Sequence, residues 1–339
     1  MKYRSPRCTP GASMHTPLVF SAALLAFSAA PAPTDAIVSQ ETLDVRYFDG
    51  PGAQTLDVFA PKGAANRPVV LFIHGGAWMS GDKNFFGLYR SVGRFFARHG
   101  AVAVCVNYRL SPRVQHPEHV KDVARAFAWV RAHAADYGGD SDRILLCGHS
   151  AGGHIVSLLA ADENYLNNPD LKLTAEDRVA IKGVMAVSGV YRIPTPEEFA
   201  VMMGDMVNGL LQSTGNKMIA PATLAPIVLG PSRALNPFRL VFGDGRAAAA
   251  KASPLSHVRK GLPPFLVLYA GRELPMLDGM AVEFGKALED AGDAVEVRRI
   301  DGCTHNNILF KLNQENDPAA AALLAFLGKF GGPATGVKP

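Results

Sequence analysis

The chain has 339 residues, 48% of them hydrophobic and 19% charged, with a formal net charge of +4. This is an ordinary globular composition, long enough to bury one large core or two modest ones, and it excludes a disordered or fibrous chain. The basic residues are scattered and are not interleaved with aromatics in a stripe, which excludes a charge-driven nucleic-acid partner.

Residues 1–36 stand apart. Lys2, Arg4 and Arg7 precede an uncharged apolar run over residues 17–30, and small residues with prolines follow to Ala36. The pattern reads as a signal peptide, which implies export to the periplasm or beyond. The run of about 14 residues is too short for a stable membrane span. Cys8 leaves with this segment. Cys105, Cys147 and Cys303 remain, an odd number without framework spacing. The first two fall inside apolar strands, where cysteine acts as a small buried hydrophobe.

In chain order, strands are expected over residues 43–48 and 55–59, joined by a Gly-Pro-Gly turn as an antiparallel edge hairpin, and then over 69–73. The third runs into His74-Gly75-Gly76-Ala77-Trp78, where the chain must turn without bulky side chains and can present backbone N–H groups. A helix over 84–99, a strand over 102–107, a helix over 118–135 and a strand over 143–147 follow. That last strand ends in Gly148-His149-Ser150-Ala151-Gly152, and a helix is expected over 151–161. A strand-to-helix turn this tight forces close backbone approach, so small residues are needed two positions before and after the serine. The serine is then exposed at a helix N-terminus whose free N–H groups favour negative charge. The plain alternative is a serine N-cap with incidental glycines.

A strand over 183–188 is followed by about 75 residues before the next at 265–270, far beyond an ordinary connection. Residues 191–262 therefore read as a cap or lid inserted into a core made of residues 37–190 and 263–332. Its Met202, Met203, Met206 and Met218 suit either an adaptable acyl pocket or the packing of a small helical subdomain. A helix over 276–291, a strand over 295–300 and a helix over 318–330 complete the chain. Alternating strands and helices with continuously apolar strands give an α/β fold with a mostly parallel sheet covered on both faces.

A serine hydroxyl needs a base, and the charge that develops on a substrate carbonyl needs fixed donors. The His-Gly-Gly turn supplies Gly76 and Ala77 as donors together with Ala151, with Gly75 permitting the bend. In this strand-turn-helix arrangement the acid and then the histidine follow the serine in chain order. His305, on the loop after the last strand, fits the base; His74 reads as structural, and His149, His154 and His257 fit the slot less well. Glu273 fits the acid, with Asp278 as its competitor five residues on.

His116, Glu118, His119 and Asp122 lack a further ligand at metal-binding spacing and read as a helix start. Asp122 and Arg125 are expected to pair on the helix surface or to brace a loop. No cofactor and no metal are implied.

Taken together, "HGGAWMSGDK", "AVCVNYRLSP", "HPEHVKDVARAFAWVRAHAADYGGDSDRILLCGHSAGG" and "ASPLSHVRKGLPPFLVLYAGRELP" resemble the α/β-hydrolase superfamily. Within it they are similar to bacterial carboxylesterases of the hormone-sensitive-lipase-like kind, including feruloyl-esterase-like and arylformamidase-like members. The likeness spans about residues 43–328. It implies an α/β-hydrolase fold, a small-molecule ester substrate and an acyl-enzyme formed on Ser150. Two departures are visible: Glu273 stands where the family usually has aspartate, and Gly-Gly-Ala-Trp replaces three glycines, as in the formamidase-like branch. Amide or formamide hydrolysis by the same residues, and a catalytically silent binding protein on this fold, are the alternatives.

Overall fold

The computed structural model describes residues 39–330 apart from positions 51, 53, 196, 197 and 200–236. The expected signal peptide, residues 200–236 of the expected cap and the four methionines named above lie outside the described residues. Eight strands form one sheet: β1 (Ser39–Arg46), β2 (Thr55–Pro61), β3 (Arg67–Ile73), β4 (Val102–Val106), β5 (Gly139–His149), β6 (Ile181–Val187), β7 (Phe265–Arg272) and β8 (Val295–Thr304). Their order is β1-β2-β4-β3-β5-β6-β7-β8. β1 and β2 form the antiparallel edge hairpin, β2 runs antiparallel to β4, and β4 through β8 pair in parallel.

The helices are α1 (Leu88–Arg98), α2 (Glu118–His133), α3 (Ala151–Ala161), the short α4 (Ala175–Arg178), α5 (Pro237–Phe242) and α6 (Arg246–Ala252), then α7 (Leu277–Asp290) and α8 (Pro318–Gly328). Alternation along a strand sends successive side chains to opposite faces of the sheet. In β3, Val69, Leu71 and Ile73 join the core under α2, α3 and α7, whereas Val70 and Phe72 join the core under α1 and α8. A strand buried on both sides must be apolar at every position, which is why these strands read as continuous runs. Cys105 and Cys147 are buried in the second of these cores. Among the described residues no helix is long and apolar enough to cross a membrane.

Asp122 does not lie on the helix surface. It is fully buried and accepts hydrogen bonds from Arg109 Nε at 2.8 Å, Arg125 at 2.7 Å, Gln54 at 2.7 Å and the Arg109 backbone N–H at 3.1 Å. It thereby ties the chain leaving β4 to α2. Removing one partner of a buried ionic network strands the others, so Asp122→Ala is expected to cost about 3–5 kcal/mol in urea-induced unfolding.

Of the histidine-rich helix start, His119 Nε2 contacts the Ser111 hydroxyl at 3.1 Å, and Glu118 pairs with Arg109 and Lys121. No group of three or more His, Cys, Asp or Glu among the described residues is arranged to hold a metal ion.

Candidate active site

Ser150 joins β5 to α3 at φ 54° and ψ −117°, a conformation that non-glycine residues rarely adopt. The two flanking glycines make it possible. A Cβ on Gly148 would fall 2.3 Å from the Gly152 carbonyl oxygen, and one on Gly152 would fall 2.1 Å from the Ile73 carbonyl oxygen. The Ser150 N–H is held by the Val187 carbonyl at 2.9 Å.

His305 directly follows β8, and its backbone N–H donates to the Arg272 carbonyl at 3.2 Å. Its Nε2 lies 2.9 Å from Ser150 Oγ and its Nδ1 lies 2.7 Å from Glu273 Oε2. With the Nδ1 proton donated to the carboxylate, Nε2 is left with a lone pair facing the serine hydroxyl. The structure thus brings together residues 155 positions apart in the chain.

Glu273 follows β7 and is only 2% exposed at its side chain. Its Oε1 accepts from the Ala270 N–H at 3.0 Å and from the Ser188 hydroxyl, and its Oε2 also accepts from the Leu274 N–H at 3.0 Å. Burial alone would raise its pKa, but the bonds from His305, Ser188 and Ala270 outweigh it and hold the carboxyl at about 2. Asp278, in the first turn of α7, is exposed and accepts from the Gly279 N–H at 2.9 Å. Glu273, and not Asp278, stands beside His305.

The turn after β3 runs through three left-handed residues, Gly76 at φ 119°, Ala77 at 51° and Trp78 at 60°. A Cβ on Gly76 would sit 2.0 Å from the Ser80 carbonyl oxygen. Trp78 is anchored by its indole N–H, which donates to His154 Nδ1 at 3.2 Å. Gly76 and Ala77 line one cavity of about 300 Å³ with Ser150, His305, Phe85 and Leu274. No backbone acceptor among the described residues takes the N–H of Gly76, Ala77 or Ala151. Gly75 differs: its N–H donates to the Tyr89 hydroxyl at 3.2 Å, so it is committed elsewhere.

His74 is buried, stacks on Tyr108 with ring centroids 4.5 Å apart, and is held neutral by burial with a pKa of about 4. His154 donates inward to the Ala252 carbonyl, and His257 contacts the Lys251 carbonyl, both away from the serine. Ser188 and Tyr89 belong to the site but carry no sequence motif, and His149 belongs to it at a position that the Gly148–Gly152 pattern leaves open. For Ser188 the available signal is its position at the carboxyl edge of a parallel strand, where sites on such sheets gather.

The family described as BD-FAE matches residues 56–273, from β2 through Glu273. The chain belongs to the BD-FAE family. Over 258 residues the chain is 31% identical to Esterase LipQ of Mycobacterium tuberculosis, covering 75% of this chain and 54% of that protein. It is 26% identical over 295 residues to Kynurenine formamidase of Danio rerio, covering 86% and 84%. The chain spans about half the length of LipQ and of LipM, the latter also from M. tuberculosis. The same fold is seen in the esterase of Pyrobaculum calidifontis, with a TM-score of 0.63 at 21% identity, covering 87% of this chain and 86% of that one. Esterase 2 of Thermogutta terrifontis gives 0.58 at 22%, covering 86% and 93%.

Proposed function

We propose that the protein hydrolyses carboxylic esters of small molecules through an acyl-enzyme on Ser150. The observation that carries this reading is the unbroken hydrogen-bonded line from Ser150 Oγ through His305 to an ionised Glu273. The esterase names of the M. tuberculosis relatives agree with it. In this reading His305 Nε2 takes the serine proton as Oγ attacks the carbonyl carbon, and Glu273 stabilises the imidazolium that forms. The N–H groups of Gly76, Ala77 and Ala151 meet the developing oxyanion. His305 then returns the proton to the leaving alcohol. In the second half it activates a water that releases the acid. No cofactor enters these steps.

One observation favours a second reading, hydrolysis of aryl formamides by the same residues. The formamidase relative matches over 84% of its own length, whereas LipQ matches over 54%. The residues 1–36 pattern supports export, which N-terminal sequencing of the mature protein would test.

The deciding experiment is turnover of p-nitrophenyl esters of two to twelve acyl carbons alongside an N-formyl arylamine. Ester turnover that Ser150→Ala reduces by roughly 10⁴-fold or more supports the esterase reading. Turnover of the formamide alone would replace it with the second, and inertness of the wild type toward both would overturn both.

A further inference from the structure

Behind the serine, two side chains that the reaction does not consume join the two sides of the site. Tyr89, on α1, and His149, the residue before Ser150, are both 5% exposed. Tyr89 Oη lies 3.1 Å from His149 Nδ1 and receives the Gly75 N–H at 3.2 Å. His149 Nε2 lies 2.9 Å from the backbone carbonyl oxygen of His305.

Hydrogen accounting allows one protonation pattern. The His305 carbonyl can only accept, so the His149 proton sits on Nε2. Nδ1 is then a bare acceptor, and the one Tyr89 O–H proton points at it. That leaves a Tyr89 lone pair for the Gly75 N–H. The line runs without a break from the turn before Gly76 and Ala77, through Tyr89 and His149, to the backbone of His305.

Resting on the esterase reading above, we propose that Tyr89 and His149 are positioning residues that set the distance and angle between the oxyanion donors and the base. Their placement fits this use. Gly75 is the first residue after His74 on the turn, and a Cβ on it would lie 3.0 Å from both His149 Nδ1 and the Tyr89 hydroxyl oxygen. A side chain there would crowd the line, which passes against the Gly75 backbone. Burial, and next the nearby His305, hold His149 neutral with a pKa of about 4, so the pattern persists at every pH at which a histidine base can work. Burial likewise raises the Tyr89 phenol to about 12, keeping its proton available. An oxyanion donor and a base that drift by half an ångström lose transition-state stabilisation while substrate binding is hardly affected, because the misplacement matters most where charge develops.

Three variants and one spectrum test this. Tyr89→Phe removes only a hydroxyl, keeping the ring that packs against Phe72 and Phe85. His149→Leu removes both bonds, and His149→Gln retains an amide donor for the His305 carbonyl. On p-nitrophenyl acetate, with rates taken per folded chain from circular dichroism, Tyr89→Phe is expected to lose about tenfold in kcat and His149→Leu about 10²-fold, each with KM within about twofold. His149→Gln should recover part of the loss. Histidine-selective ¹⁵N NMR of the wild type should show His149 with a protonated Nε2 and a bare Nδ1.

Unchanged kcat in Tyr89→Phe and His149→Leu, with wild type active and Ser150→Ala inert, would overturn the positioning role and leave the esterase reading standing. A His149 carrying its proton on Nδ1 would do the same. A wild type as inert as Ser150→Ala on every substrate would remove the reading itself and the proposal with it.

Discussion

Glu273→Gln should lower kcat by roughly 10³–10⁴-fold while leaving the protein folded. The imidazolium formed at His305 would lose a carboxylate 2.7 Å away, in a pocket where that side chain is only 2% exposed. An amide also cannot satisfy the donors that now converge there. Its NH₂ must face either the Ala270 N–H or the Leu274 N–H, both of which donate to Glu273. In the second orientation it also presses the His305 proton onto the nitrogen that should accept from the serine. Loss of less than about tenfold would remove Glu273 from the acid position.

The same variant isolates a pH effect. The Glu273 carboxyl titrates near 2, well below its ordinary 4.5. Its ionisation therefore adds stability that is complete above about pH 4.5 and is lost as the pH falls toward 2. The melting-temperature advantage of wild type over Glu273→Gln should shrink as the pH falls across that window. A difference independent of pH between 7 and 2 would contradict the depressed value.

Gly152→Ala should be a severely damaging single-methyl addition near the site. The new Cβ would approach the Ile73 carbonyl oxygen to 2.1 Å, a backbone atom that cannot rotate away. Either α3 or the end of β3 must move. The first carries Ala151 and the second leads into the turn at Gly76. Overpacking against fixed backbone costs about 3 kcal/mol or more, so low yield, a large fall in melting temperature and loss of activity in whatever folds are expected together. Gly279→Ala is the control: its Cβ would meet nothing within 4 Å, inside α7, and a gain of up to about 1 kcal/mol is expected. Equal behaviour of the two variants would mean that the turn does not depend on this contact.

The strands and helices were legible wherever burial on both faces made the run continuously apolar, as in β3, β4 and the middle of β5. The ends were not. The sequence suggests a helix from residue 84, but the Asp82 carboxylate holds the N–H groups of Asn84 and Phe85, and left-handed Phe85, Phe86 and Gly87 delay α1 to Leu88. The first strand is expected at 43–48 yet spans Ser39–Arg46, because Asp44 bulges at φ 57° and breaks the alternation. β5 begins at Gly139, five residues before its apolar run at Ile144, since Gly139 pairs with Arg67 of β3 ahead of an irregularity in the register. Gly148, Ser150, Gly152 and the His-Gly-Gly turn could be read because their chemistry is local. Glu273 and His305 could be read because the order of parts along the chain leaves each a slot. Tyr89, His149 and Ser188 could not, since what defines them is a partner 14 to 156 residues away.

The proposed mechanism requires Ser150 to become covalently bonded to the acyl group. A diethyl p-nitrophenyl phosphate, which phosphorylates an activated serine without being released, tests it most directly. Wild type should release one p-nitrophenol per chain, and peptide mass spectrometry should place a single adduct on the peptide containing Ser150, absent in Ser150→Ala. An adduct on another residue, or ester turnover undiminished in Ser150→Ala, would contradict the account.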